Sequence, residues 1–395
     1  MKVIASPAKL LALAAIAALL AFPRAYAQTP KNQPINLLVL GDSISWGQGL
    51  KSEHKASTLV KNWLEQQTGR EVAQTVEAHS GAVIGSVSDS PDAAALDSAR
   101  ALDGELSRAY PTINQQIDYA VSAFGNPGRV DLVIVNGCIN DVDSRRLLNA
   151  ANTPDTIREL AQVKCGAPVE SLLMRIANTF PSAHVVVTGY YPIVSEKTTN
   201  DLFMRALAKR FYSPTAGAPK MSDKMLRARL IAMSREWYET SGQLLSAAAR
   251  KVDEALMAKG SHQRVLFADA GFHVENVFAA RETRLWSFDA SWIRKMLVVF
   301  SLGHVQLRSN DELRSYRSDL CKNFFKRPAD ETPAQKATRE DRMTRCRLAA
   351  VAHPNRKGAA MYAEAISNLL KPLIAGDGWL RSINNSALPQ SPSSR

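Results

Sequence analysis

The chain has 395 residues, 46% hydrophobic and 22% charged, with 20 glycines and 19 prolines. That balance excludes a collagen-like, low-complexity or disordered chain and suffices for one large or two small domains. Its 49 Lys and Arg against 37 Asp and Glu leave a formal net charge of +12, which favours contact with anionic matter: nucleic acid, lipid headgroups or cell-envelope polymers.

The first elements concern address. Lys2 and Lys9 give a positive start, Leu10 to Phe22 is an apolar run without charge, and Ala25-Tyr26-Ala27 is a small-x-small cleavage site. Together they predict a signal peptide over 1–27. The run is shorter than the roughly 20 residues that span a bilayer, so an uncleaved anchor is the weaker reading. A secreted or periplasmic protein follows, in a compartment where cysteines pair. Four are present; Cys138 with Cys165 and Cys321 with Cys346 is the sequence-local choice, against free buried thiols.

Beyond the leader, short apolar β-branched runs alternate with helical patterns. Ile35 to Leu40 predicts a buried strand, Glu53 to Thr68 a helix, and Glu71 to Ala78 a weaker strand. Thr112 to Phe124 reads as a helix, Val130 to Val135 as a strand, Pro168 to Asn178 as a helix and His184 to Thr188 as a strand. Asp223 to Lys259 is a long helical stretch in which Ser241-Gly242 marks a candidate kink. Arg264 to Ala268 is a fifth strand and Arg356 to Leu370 a last helix. This alternation predicts a parallel five-stranded sheet covered on both faces, within one domain over 28–375. The interval Gly271 to Ala352 breaks the pattern and is read as an insertion, about 271–350; the tail 376–395 is expected to be partly disordered.

In such sheets, sites form at the carboxyl ends of the strands. After the first strand comes Gly41-Asp42-Ser43, after the second Ser80-Gly81-Ala82, after the third Asn136-Gly137-Cys138-Ile139-Asn140-Asp141. His353-Pro354-Asn355 opens the last helix. Ser43 is a nucleophile only if a base takes its proton, and His353 is the candidate. The Ser43 N–H, the Gly81 N–H and the Asn140 side chain are candidate donors to an oxyanion. The chemistry to which this set points is acyl transfer, most simply ester hydrolysis.

These four blocks, in this order, resemble the SGNH (GDSL) hydrolase family over Ile35 to about Leu370, with the insertion unmatched. The resemblance implies a flavodoxin-like three-layer α/β/α sandwich and esterase, lipase, thioesterase or carbohydrate-deacetylase activity with no metal or other cofactor. One position departs from it. The family's acid stands three residues before the histidine, where this chain has Ala350. The carbonyl of Ala350, a relocated acid such as Asp269 or a residue of the insertion, or a loss of activity are the alternatives.

Plainer readings stand beside these. Ser43 can cap a helix, Asp42 and Asp141 can brace their loops, Ser45 is structural, and Trp46 either lines an acyl pocket or packs. His54, His79, His184, His262, His273 and His304 lack metal-ligand spacing, although His273 and His304 border the insertion. Trp286, Phe288 and Trp292 form either a lid or the packing of the insertion, with packing favoured. The basic residues Lys322, Lys326, Arg327, Lys336, Arg339, Arg342 and Arg345 are interleaved with acids and read as a solvated helical face. Without aromatic interleaving, nucleic-acid binding is not expected. The expected substrate is a small-molecule or lipid ester, lipid and acyl esters ahead of acetylated glycans, with contact to an anionic membrane or envelope surface. A noncatalytic module binding acylated envelope polymers, or an acyltransferase or carbohydrate deacetylase on the same fold, is the alternative; the oligomeric state is left open.

Overall fold

The structure, a computed structural model, describes residues 33–85, 102–214, 221–289, 307–376 and 379. The leader 1–27, Trp292, His304 and most of the tail lie outside the described residues. From Pro34 onward, the described residues belong to one unit.

The elements in chain order are β1 (Ile35–Leu40), α1 (Ser43–Trp46), α2 (Ala56–Thr68), β2 (Val72–Val76), α3 (Ile113–Phe124), β3 (Leu132–Val135), α4 (Ile139–Val142) and α5 (Ser144–Leu148). They continue with α6 (Pro154–Cys165), α7 (Ala167–Thr179), β4 (His184–Thr188), α8 (Leu202–Phe211), α9 (Asp223–Ala258), β5 (Val265–Ala268), α10 (Arg314–Phe324), α11 (Pro333–Arg347) and α12 (Arg356–Gly376). The five strands pair in parallel in the order β2-β1-β3-β4-β5, the flavodoxin-like order.

The strand pattern explains the layers. Successive side chains point to opposite faces, so Leu38, Leu40, Val133, Val135, Val185 and Val187 enter one core with residues of α3, α6, α7 and α9. The alternate set, with Ile35, Leu37, Val39, Leu132, Ile134 and Val186, meets α2 and α12 on the other face. Burial on both faces is why these strands carry no polar alternation, and each fully buried Leu or Val contributes about 1.5–3 kcal/mol.

The strands lie where the apolar runs predict them, within three residues at each end. Helices α1, α4, α5, α6, α8 and α10 are additional. Asp223 to Ala258 runs as one helix, with no break at Ser241-Gly242; a lone glycine lowers helix propensity without forcing a kink. Cys138 is bonded to Cys165 and Cys321 to Cys346. The first pair ties the loop after β3 to α6; the second ties α10 to α11. Each closes a loop that restricts the unfolded chain by about 3 kcal/mol. No helix among the described residues is long and apolar enough to cross a membrane.

The insertion is built onto the sheet rather than standing apart. Trp286 N–H donates to the His353 carbonyl (2.7 Å) and Ala352 N–H to the Trp286 carbonyl (2.8 Å). Phe288 meets Phe203 and Phe278 edge to face. In their described contacts, Trp286 and Phe288 thus take the packing role. At its other end, Arg317 of α10 is wholly buried between Glu105 (2.6 Å) and Asp311, whose second contact is 3.0 Å. Glu105 also accepts from Gly49 N–H, Gln48 Nε2 and Trp46 Nε1. The insertion is therefore anchored to the segment that follows Ser43.

Candidate functional site

Strand order reverses direction between β1 and β3, and the crevice of a doubly wound sheet opens there. Ser43, Gly81 and Asn140 follow the carboxyl ends of β1, β2 and β3, and all three line one cleft with His353. The cleft has a volume of about 930 Å³.

The turn after β1 is fixed from three sides. Gly41 has φ +122°, and a Cβ there would lie 2.3 Å from Asn136 Oδ1, so only glycine fits. Its N–H donates to Gln116 Oε1 (2.7 Å), and Gln116 Nε2 donates back to its carbonyl (3.0 Å). Asp42, fully buried, accepts from Ile44 N–H (2.9 Å), Asn136 Nδ2 (2.6 Å) and the Tyr190 hydroxyl (2.9 Å). Burial pushes its carboxyl up despite these donors. Asp42 is thus the cap of α1, which frees the Ser43 hydroxyl from that duty. Ser45 donates to Asn136 Oδ1 (2.6 Å), a bracing role.

His353 Nε2 lies 2.7 Å from Ser43 Oγ. Burial pushes the His353 pKa down to about 4; main-chain groups of Val351 and Ala350, and the charge of Asp311, raise it, while Arg317 lowers it. The ring is therefore neutral at pH 7 and able to accept a proton. Among the described residues, Nδ1 has no hydrogen-bond partner of ordinary geometry. The Ala350 carbonyl accepts the main-chain N–H of His353 itself (3.0 Å). Asp269 is engaged elsewhere, by the Tyr238 hydroxyl (3.3 Å) and Gly271 N–H (2.9 Å). The main chain beside the imidazole is held instead: the Ala352 carbonyl accepts from the Tyr191 hydroxyl at 2.8 Å.

Three candidate donors line this cleft. Among the described residues, no hydrogen bond engages the N–H of Ser43 or of Gly81. Gly81 has φ +84°, and a Cβ on it would lie 2.5 Å from Arg108 N. Asn140 Nδ2 donates one hydrogen to the Ala82 carbonyl (2.9 Å), which leaves its second N–H. Asp141 accepts from Ile84 N–H (3.1 Å) and so ties the Asn140 helix to the Gly81 loop. Burial raises its pKa to about 6. A serine oxygen beside a neutral imidazole, with three candidate N–H donors lining the same cleft, is a set of groups suited to adding to a carbonyl and holding the resulting oxyanion.

The remaining candidates fall elsewhere. Trp46 is not among the cleft residues; Lys55 Nζ sits 3.3 Å over its ring, and its indole donates to Glu105. His79 is packed between the carbonyls of Ser80 and Pro111, and His184 accepts from Arg264 N–H. His54 meets Glu312, and His273 is exposed in a separate groove with Tyr238. One expectation is corrected in part. The basic segment is not simply a solvated face, because Thr338, Arg342 and Arg345 of α11 line the cleft. Their i, i+4, i+7 spacing puts them on one side of the helix. That spacing is visible in the sequence, although what the side faces is not. Gln116, Tyr190 and Tyr191 are further supports that sequence reasoning missed, since each acts across a long separation.

No protein-family model and no curated protein matches the sequence. The comparison with solved structures does find matches. An extracellular lipase from Streptomyces rimosus is 17% identical, covering 64% of this chain and 87% of its own, with a TM-score of 0.36. A phospholipase A1 from Streptomyces albidoflavus is 15% identical over 66% of this chain and 89% of its own, TM-score 0.38. A family two carbohydrate esterase from Clostridium thermocellum, in complex with cellohexaose, is 10% identical over 89% of this chain and 67% of its own, TM-score 0.37. Likenesses this distant fix neither activity nor substrate.

Proposed function

We propose that this chain is a serine ester hydrolase of SGNH type, acting on carboxylic esters through a Ser43–His353 dyad. The contact of 2.7 Å between His353 Nε2 and Ser43 Oγ carries the reading. Ser43 Oγ attacks the ester carbonyl carbon as its proton passes to His353 Nε2. The carbonyl electron pair moves onto oxygen, where the Ser43 N–H, Gly81 N–H and Asn140 Nδ2 receive it. Collapse breaks the bond to the alcohol oxygen, which takes the proton from His353. Water then attacks the acyl-serine, gives its proton to His353, and the carboxylic acid leaves as Ser43 regains the proton.

Ile44, Val83, Ile139, Leu148 and Ile193 give the cleft apolar walls, which supports lipid or other acyl esters. Secretion or a periplasmic location is supported by the leader pattern in 1–27 together with two disulfides. The test is hydrolysis of p-nitrophenyl esters from acetate to palmitate by the wild type, Ser43→Ala and His353→Ala. Turnover lost in both variants supports the reading, and retained turnover in Ser43→Ala overturns it. The unpartnered Nδ1 favours one second reading, a noncatalytic module that binds acylated polymers. Labelling by a fluorophosphonate, which needs an activated serine, decides against that module.

A further inference from the structure

Among the described residues, four arginines line the cleft, Arg108, Arg145, Arg342 and Arg345, against one carboxylate, Asp143. Asp143 is already taken by Arg145, whose Nε and Nη2 lie 3.0 and 2.5 Å from its Oδ2. The other guanidinium groups come from two separate segments of the chain. Arg342 and Arg345 stand one turn apart on α11, and Arg342 makes no ion pair among the described residues. Arg345 pairs with Asp341 at an exposed position, where such a pair is weak. Arg108 is half-buried and follows the loop that packs on Gly81, beside the candidate oxyanion donors. The cleft also holds a buried donor: the Trp237 indole N–H has no partner among the described residues. An apolar ester gains nothing from guanidinium groups lining the cleft, whereas a carboxylate or phosphate matches their fork of N–H donors.

Building on the ester-hydrolase reading, we propose that the substrate is an ester carrying an anionic group, a carboxylate or phosphate, which Arg342 and Arg345 receive while Ser43 addresses the ester carbonyl. Low-dielectric walls concentrate this field in the cleft, so the anion both steers and orients the ester.

Two matched pairs of esters test this. In the alcohol part, 4-carboxyphenyl acetate is compared with its methyl ester. In the acyl part, 4-nitrophenyl hydrogen adipate is compared with 4-nitrophenyl methyl adipate. Each kcat/KM is divided by that ester's hydroxide-catalysed rate. The wild type should favour the charged member of at least one pair by on the order of tenfold. Raising NaCl from about 20 to about 500 mM should shrink that preference, and Arg342→Gln/Arg345→Gln should narrow it. 4-Acetoxyphenyl phosphate, run beside the carboxylate, identifies the preferred anion. Charged members no better than neutral ones in both pairs, with the neutral esters turned over through Ser43, overturn this inference and leave the hydrolase reading standing. If no ester is turned over, the hydrolase reading fails instead, and calorimetric titration with benzoate and phenyl phosphate judges the anion site. Binding that the double substitution abolishes supports it. Absent binding, or binding indifferent to the substitutions, overturns it.

Discussion

The Tyr191 hydroxyl donates to the carbonyl of Ala352, the residue before His353, at 2.8 Å. Ala352 sits at φ +64°, a left-handed conformation that an alanine holds only under constraint. Its N–H is bound to the Trp286 carbonyl, and the His353 carbonyl accepts from Trp286 N–H. Three hydrogen bonds thus fix the backbone on which the imidazole stands. An acid three residues upstream would orient the ring through Nδ1; here the loop geometry can do so through the main chain.

Tyr191→Phe should therefore lower kcat by about tenfold, because small misplacements of a reacting group are costly. The same change leaves the Ala352 carbonyl short of a donor and should cost about 1–3 kcal/mol of stability. Ester hydrolysis, fluorophosphonate labelling rate and urea unfolding of the variant measure both effects. A Tyr191→Phe enzyme with unaltered kcat would remove the main-chain account of how His353 is aimed.

The pH profile should distinguish this histidine from an ordinary one. Only the neutral ring accepts the Ser43 proton, and burial lowers its pKa from 6.5 to about 4. kcat/KM should rise with pH through a limb near 4 and stay level through pH 6.5. The linked stability follows with a definite sign. Between pH 6.5 and 4 the unfolded chain binds a proton at this histidine that the folded chain refuses, so stability from this group falls as pH falls. Asp141, raised to about 6 by burial, acts oppositely: the fold takes its proton first, and its contribution grows as pH drops from 6 toward 3.8. His353→Gln should remove the first effect and leave the second, as melting curves across this window would report. An activity limb at 6.5 or above would contradict the assignment.

Asn140→Ala removes one of the proposed oxyanion donors while Ser43 and His353 stay in contact. Losing such a donor typically reduces kcat by about 100- to 1,000-fold. KM should change much less, because the donor is aimed at charge that develops only in the transition state. Single-turnover acylation of wild type and variant separates this from a binding defect.

Much of this arrangement is legible in the sequence, for identifiable reasons. β1 and β3 are buried on both faces, so their apolar runs stand out and the residues after them, Ser43 and Asn140, stand out with them. Gly81 and His353 follow from the same punctuation. What escapes is contact between distant positions. Nothing local in Glu105 or Arg317 announces a pair separated by 212 residues, and nothing in Tyr191 announces Ala352. The face of α11 with Thr338, Arg342 and Arg345 is readable as a face. Whether it meets solvent or a cleft depends on how the insertion folds back.

That folding back gives the last prediction. Arg317 is wholly buried, with Glu105 and Asp311 as its carboxylate partners and the Arg347 carbonyl 3.3 Å from its Nε. Removing the guanidinium leaves two buried carboxylates uncompensated, so Arg317→Ala should cost about 3–5 kcal/mol. Glu105→Gln keeps the shape of the side chain and one acceptor, and should cost less. Because Glu105 also holds Gly49, Gln48 and Trp46, both changes should loosen the segment after Ser43 as well as the insertion. Urea unfolding reads the stability order, and hydrogen exchange at residues 46–50 reads the loosening. Equal stability of Arg317→Ala and wild type would mean that the insertion is held by its disulfide and apolar contacts without this ionic cluster.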